Sequence, residues 1–153
     1  MDTNYRNTVQ IVDFAQEVVA ECVSRADHDR QLVARLRAVE QDVATGWGDI
    51  GVLAVSSFDA RRLADLISGA GIPVVELQKY DGDVVDAVKV GTIKRAKGLE
   101  FKQVCLVGVR GGDSGGGAAP EGGAERERWE LLRRELFVGM TRARDGLWVG
   151  CVQ

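Results

Sequence analysis

Apolar positions along this chain recur in two rhythms, and the rhythm changes from segment to segment. Ile11, Phe14, Ala15, Val18, Val19 and Cys22 fall three and four apart behind Asn7-Thr8-Val9-Gln10, the pattern of a capped amphipathic helix. The same spacing predicts a second helix from about Asp29 to Val43, stopped at Thr45-Gly46-Trp47-Gly48. Ile50 to Val55 is apolar throughout and short, which fits a buried strand. Asp59 to Ser68 reads as a helix closing on Gly69 and Gly71, and Ile72 to Leu77 as the next strand, with Pro73 tolerated near its start. Val88–Ile93 and Val104–Val109 are two further strands. Glu125 to about Met140 is a helix with Trp129, Leu132, Leu136 and Met140 on one face, and Leu147–Val152 is the last strand.

Strands apolar on both faces, separated by helices, predict an α/β fold with a parallel sheet covered on both sides. The 153 residues suit one domain, 1–153. Residues 111–124, GGDSGGGAAPEGGA, contain seven glycines and break the pattern. A phosphate cradle there would need a following Gly-Lys-Ser/Thr at a helix start. None follows, so the tract is expected to be a flexible surface loop. No apolar run approaches the roughly 20 residues of a membrane span, and the N-terminus lacks a signal peptide's basic start and apolar core. A cytoplasmic protein is the expectation.

Cys22, Cys105 and Cys151 stand in no metal-ligand spacing, and the last two lie in strand-like runs where a thiol packs as a small hydrophobe. His28 stands alone in a charged stretch and is expected to be solvated near a helix start. No metal site is indicated. Charge is distributed unevenly: residues 1–88 carry −7 and residues 89–153 carry +4, for a net −3. Lys89, Lys94, Arg95, Lys97 and Lys102 are opposed only by Glu100. A basic strip on an acidic body can still hold a phosphate backbone.

Three segments carry the chemistry. They are Asn4-Tyr5-Arg6-Asn7-Thr8, then TIKRAKGLEF at 92–101 between two strands, then RELFVGMTRA at 134–143 at a helix end. In order and spacing they resemble motifs IV, V and VI of the UvrD/Rep-type superfamily 1 DNA helicases. The segment GDIGVLAVSSFDARRLADLISGAGIPV resembles the part following motif IV in that family, so the likeness runs along nearly the whole chain. It implies the second, C-terminal RecA-like domain of an ATP-dependent helicase or translocase, with a P-loop-NTPase-type sheet.

By that resemblance Arg142 is the motif VI arginine that reaches the γ-phosphate of ATP, and Arg6 its motif IV counterpart. A guanidinium suits the task because phosphoryl transfer is promoted chiefly by fixed charge facing the developing negative charge. Helix capping is the plain alternative for Arg142, and a surface ion pair for Arg6. Glu100, with Gly98 beside it, is implied to meet the ribose hydroxyls, against the alternative of an ion pair with Lys97 or Lys102. Tyr5 is placed near the adenine, with core packing as its rival. Thr92, Lys94, Arg95 and Lys97 lie where motif V meets single-stranded DNA, although many relatives have His where this chain has Lys94. Arg144 is expected to be structural.

No GxxxxGK[ST] loop and no Walker B Asp-Glu pair occurs. The N-terminal RecA-like domain that would hold ATP and Mg2+ is therefore expected to lie outside this chain, as a partner domain of the same protein, and this chain alone is expected to be inactive. Only about ten residues join Leu77 to Val88, where UvrD and Rep carry a large additional domain, so the resemblance is to the compact helicases of the group. A non-catalytic, helicase-derived interaction module is the alternative. A DNA repair role is implied only by the family.

Overall fold

The computed structural model describes residues 22–42, 44–82, 85–110 and 122–152. Of the first predicted helix only Cys22 lies within these residues, and Tyr5, Arg6 and most of the Gly-rich tract lie outside them. Eight principal elements follow in order: α1 Arg25–Glu40, β1 Ile50–Ala54, α2 Ser57–Gly69, β2 Val74–Glu76, β3 Val88–Thr92, β4 Phe101–Arg110, α3 Gly123–Thr141 and β5 Ala143–Val152. Short 3-10 turns sit at Trp47–Asp49, Leu77–Lys79 and Lys94–Ala96. The five strands form one sheet in the order β2-β3-β1-β4-β5, and every neighbouring pair is parallel. The expected α/β architecture is thus observed.

Both α1 and α2 begin upstream of where the apolar spacing starts them. The Ser24 hydroxyl accepts the Asp27 N–H at 3.2 Å, and the Ser56 hydroxyl accepts the Asp59 N–H at 3.1 Å. These caps satisfy amides that a first helical turn otherwise leaves unpaired. First turns are polar, so hydrophobic periodicity does not register them.

Two apolar layers sandwich the sheet. On one face Leu32, Leu36 and Val39 of α1 and Leu63, Ala64 and Ile67 of α2 pack on Ile50, Val52, Val88, Val90, Cys105 and Val107. On the other face Leu136 of α3 packs with Leu53, Ile93, Ala96, Phe101, Val104, Leu106 and Val109. Helices therefore cover both faces, as expected. Strict alternation along β4 would put Val107 and Val109 on one face. Between Leu106 and Val109 the register with β5 shifts, with Gly108 at φ +68°. One extra residue there sends Val109 to the α3 side.

Two sequence expectations are corrected. His28 is fully buried: its Nδ1 faces Asp29 Oδ1 at 3.0 Å and its Nε2 accepts the Gly108 N–H at 3.1 Å. Because α1 begins at Arg25, four residues before its expected start, His28 falls inside the helix and its side chain turns inward, onto the sheet. Cys151 is not a free thiol but is joined to Cys22 in a disulfide, with Cα atoms 4.6 Å apart. Cys22 is not helical; it leads into a parallel bridge between Val23 and Val152. Pairing across 129 residues of chain leaves no mark in sequence spacing. Cys105 is a buried free thiol, as expected.

Candidate functional site

Strand register decides where the motif-like residues go. Thr92, at the end of β3, is level with Ala54 at the end of β1. Gln103, near the start of β4, is level with Ile50 at the start of β1. Because β3 and β4 both run parallel to β1, residues 93–100 must return across the sheet. They do so over the α3 face, pinned by Ile93 and Ala96, which are 1% and 0% exposed. Six strand steps of about 3.3 Å separate the level of Phe101 from that of Thr92, roughly 20 Å.

The polar side chains of Thr92–Lys102 therefore do not emerge together, contrary to the reading of this segment as one strip. Thr92, Lys94 and Arg95 belong to the C-terminal edge of the sheet. There the Thr92 hydroxyl accepts the Arg95 N–H at 3.3 Å, holding the turn, and both cations are exposed. Lys97 is exposed on the returning stretch, and Gly98 makes the bend toward β4 at φ +85°. Glu100 is at the opposite, N-terminal edge, exposed and without an ion-pair partner among the described residues.

Two lysines leave the basic strip altogether. Lys102 Nζ donates to the Ala44 carbonyl at 2.6 Å and lies 4.0 Å from Asp49, so it is not the partner of Glu100. Lys89 is only 7% exposed. Its Nζ donates to the Gly48 carbonyl at 2.6 Å and lies 5.2 Å from the centre of the Tyr80 ring. Burial pushes its pKa below the ordinary value, while Asp49 and Asp86 partly oppose that shift. Lys89 ties strand to loop and is not presented to solvent.

Arg142 stands at the N-terminal edge, next to Glu100 in space. It caps α3: its N–H donates to the Gly139 carbonyl at 3.2 Å and its Nε to the Val138 carbonyl at 3.3 Å. Its own carbonyl accepts the Phe101 N–H at 2.9 Å, which fixes it beside the residue following Glu100. Capping uses only Nε. The two terminal guanidinium nitrogens have no hydrogen-bond or ion-pair partner among the described residues, so capping leaves them available to a ligand. Arg144 is exposed and 3.8 Å from Asp145. Tyr5 and Arg6 lie outside the described residues.

At the C-terminal edge a cleft is lined by Ser57 and Arg61 of α2, Glu76 at the end of β2 with Gln78 just after it, and Thr92 at the end of β3 with Arg95 just after it. Arg61, Ser57 and Gln78 were not singled out from the sequence. Ser57 and Arg61 lie on α2 and Gln78 on the turn after β2, and only the sheet order β2-β3-β1 brings these two connections together with the one after β3. Among the described residues no cluster of three or more His, Cys, Asp or Glu could hold a metal ion, and no helix is long and apolar enough to cross a membrane.

The geometry can be set beside known proteins. In fold, the chain is similar to the crystal structure of the C-terminal domain of a possible DNA helicase from Lactobacillus plantarum WCFS1. That likeness has a TM-score of 0.65 at 16% identity and covers 94% of this chain and 84% of the other. No curated protein matches it. The family model for the UvrD-like helicase C-terminal domain matches residues 54–153, from the end of β1 through the two motif-like segments at 92–101 and 134–143. The chain belongs to the family of UvrD-like helicase C-terminal domains.

Proposed function

We propose that this chain is the second motor domain of an ATP-dependent DNA helicase or translocase, presenting opposite edges of one sheet to nucleotide and to single-stranded DNA. The observation that supports this most directly is the separation of two residue sets by a single connection. Arg142 and Glu100 share the N-terminal edge, bridged by the Phe101–Arg142 hydrogen bond. Thr92, Lys94 and Arg95 occupy the C-terminal edge.

In this reading the free end of the Arg142 guanidinium faces the γ-phosphate of ATP held by an N-terminal RecA-like domain, and Arg6 acts beside it. Glu100, with Gly98 permitting the bend, accepts from the ribose hydroxyls, and Tyr5 lies against the adenine. By the same resemblance the magnesium ion and the β- and γ-phosphates are assigned to the other domain, where the ion would neutralise developing charge. In this reading the segment anchored at Ile93 and Ala96, which joins the two edges, carries movement of the nucleotide edge to the basic edge.

The test is reconstitution. The purified chain should show no ATP hydrolysis, and DNA-stimulated hydrolysis should return when the ATP-binding domain of the same protein is supplied. Hydrolysis by this chain alone that disappears in Arg142→Ala would overturn the half-site reading. Failure of the intact two-domain protein to hydrolyse ATP would favour an interaction module.

A further inference from the structure

At the C-terminal edge one large apolar side chain stands in solvent. Phe58, in the first turn of α2, is 71% exposed, the most exposed large hydrophobic among the described residues. It has no part in the core. At 3.6 residues per turn, the buried positions Ala60, Leu63, Ala64 and Ile67 form a stripe on the far side of the helix from Phe58. An exposed phenyl ring costs solubility and gains nothing for folding, so its surroundings decide what it can do.

Those surroundings are polar, with exposed cations on α2 and on the turn after β3, and Glu76, the one acid lining the adjoining cleft, lies 3.3 Å from Lys79. Arg61 is exposed one turn later, where side chains at i and i+3 are neighbours, and it lines the same cleft as Ser57, Thr92 and Arg95. Lys94 is exposed on the turn carrying Arg95. The Ser56-capped start of α2 adds the positive end of a thirteen-residue helix at the same edge. A flat apolar ring one helical turn from Arg61, whose cleft also holds Arg95, matches one chemistry well. Single-stranded nucleic acid offers a π-face on every base and an anion on every linkage, and proteins hold it by combining stacking with basic tracks.

The geometry points to Phe58 as a base-stacking platform for single-stranded nucleic acid, with Arg61 and Arg95 holding the flanking phosphates. This rests on the proposed DNA edge and deepens it. Stacking of this kind tolerates any base, so Phe58 supplies grip without sequence preference. It also adds a component of affinity that salt does not screen, beside phosphate contacts that salt weakens.

The test is fluorescence anisotropy with the whole chain at low salt, using an oligo-dT and an oligonucleotide of equal length with abasic linkages. Phe58→Ala should weaken oligo-dT binding roughly tenfold and leave the slope of log K against log salt unchanged. Phe58→Leu should lose as much, and Phe58→Trp should retain affinity. The abasic strand should bind wild type and Phe58→Ala equally. Circular dichroism should be the same for all variants, because the side chain is outside the core. If Phe58→Ala binds oligo-dT like wild type while Lys94→Ala with Arg95→Ala lowers the slope, the platform is wrong and the DNA edge stands. If Phe58→Leu keeps full affinity, or Phe58→Ala weakens both strands alike, the ring makes a general apolar contact and stacking is overturned. Absence of salt-dependent binding to oligo-dT by the wild-type chain overturns the edge and the platform together.

Discussion

His28 of α1 accepts the backbone N–H of Gly108 in β4 at 3.1 Å, closing a polar chain through an otherwise apolar layer. The β4 irregularity at Gly108 takes that N–H out of the ladder with β5. Nε2 must be the unprotonated ring nitrogen to accept, so Nδ1 carries the hydrogen toward Asp29 at 3.0 Å. Asp29 in turn receives Arg62 of α2 at 2.7 Å. One buried imidazole thus links both helices of a layer to the bulge of the strand beneath them.

His28→Ala should destabilise the chain by roughly 2–4 kcal/mol, from an orphaned buried amide together with a cavity. His28→Gln, which can still offer an acceptor, should cost less. Urea unfolding of both variants decides this; equal losses would mean that packing alone accounts for the site. Gly150→Ala should also be destabilising, by about 1–3 kcal/mol, because a Cβ there would fall 2.4 Å from His28 Nε2.

Acid stability should depend on Asp29. Burial by itself would raise its carboxyl, but hydrogen bonds from Arg62 and His28 outweigh that and hold the group below its ordinary 3.8. A carboxylate with a lowered folded-state pKa contributes stability that is present above the unfolded value. That contribution is lost as pH falls through the folded one. Melting temperature should therefore fall below about pH 4, and Asp29→Asn should lower the plateau while flattening that acid limb. An unchanged limb would assign acid unfolding to other carboxylates.

Cysteine labelling should follow burial and pairing. Cys105 is buried, and desolvation pushes its thiol up to about 12 despite the opposing charge of Arg35. The reactive thiolate is correspondingly scarce. Non-reduced folded chain should take up no alkylating reagent, one label after denaturation, and three after denaturation with reduction. Two or more labels on denatured, non-reduced chain would show that the Cys22–Cys151 bond is absent in solution.

If the proposed two-domain ATPase is right, Arg142→Ala in it should lower kcat by about 10³–10⁵, the range of arginine fingers, with a smaller effect on nucleotide affinity. Arg142→Lys should not restore the rate, since an ammonium lacks the planar donor fork. Loss of the Val138 cap should cost the fold only about 1 kcal/mol, so thermal melting separates the two roles. A lysine variant near wild-type rate would make Arg142 a cap and nothing more.

Lys94→Ala combined with Arg95→Ala should weaken single-stranded DNA binding by the proposed two-domain protein and reduce the salt slope by about 0.7 per neutralised phosphate lost. A titration across salt concentrations reads both effects. An unchanged slope would place the phosphate track away from this edge.

Much of the fold follows from local physics. The all-apolar runs at Ile50–Val55 and Val104–Val109 can be satisfied only inside a sheet covered on both faces, and the helical spacing around Leu132 and Leu136 only by packing one side. The family resemblance marked Arg142, Glu100, Thr92 and Arg95; residue chemistry alone left Arg142 and Glu100 ordinary alternatives in a helix cap, which Arg142 does make, and an ion pair. What the chain could not disclose along its length is whatever depends on register and crossover. The basic strip divided because β3 and β4 run parallel and their connection must return across the sheet, carrying Glu100 to the edge opposite Thr92. Lys89 and Lys102 left it because nearby carbonyls captured them. His28 was drawn inward because a bulge about eighty residues away offered it a free amide. Arg61 and Phe58 gained surroundings only when strand order set α2 beside the turn after β3. Periodicity reports which side of an element is apolar; only tertiary contact reports what each polar group meets.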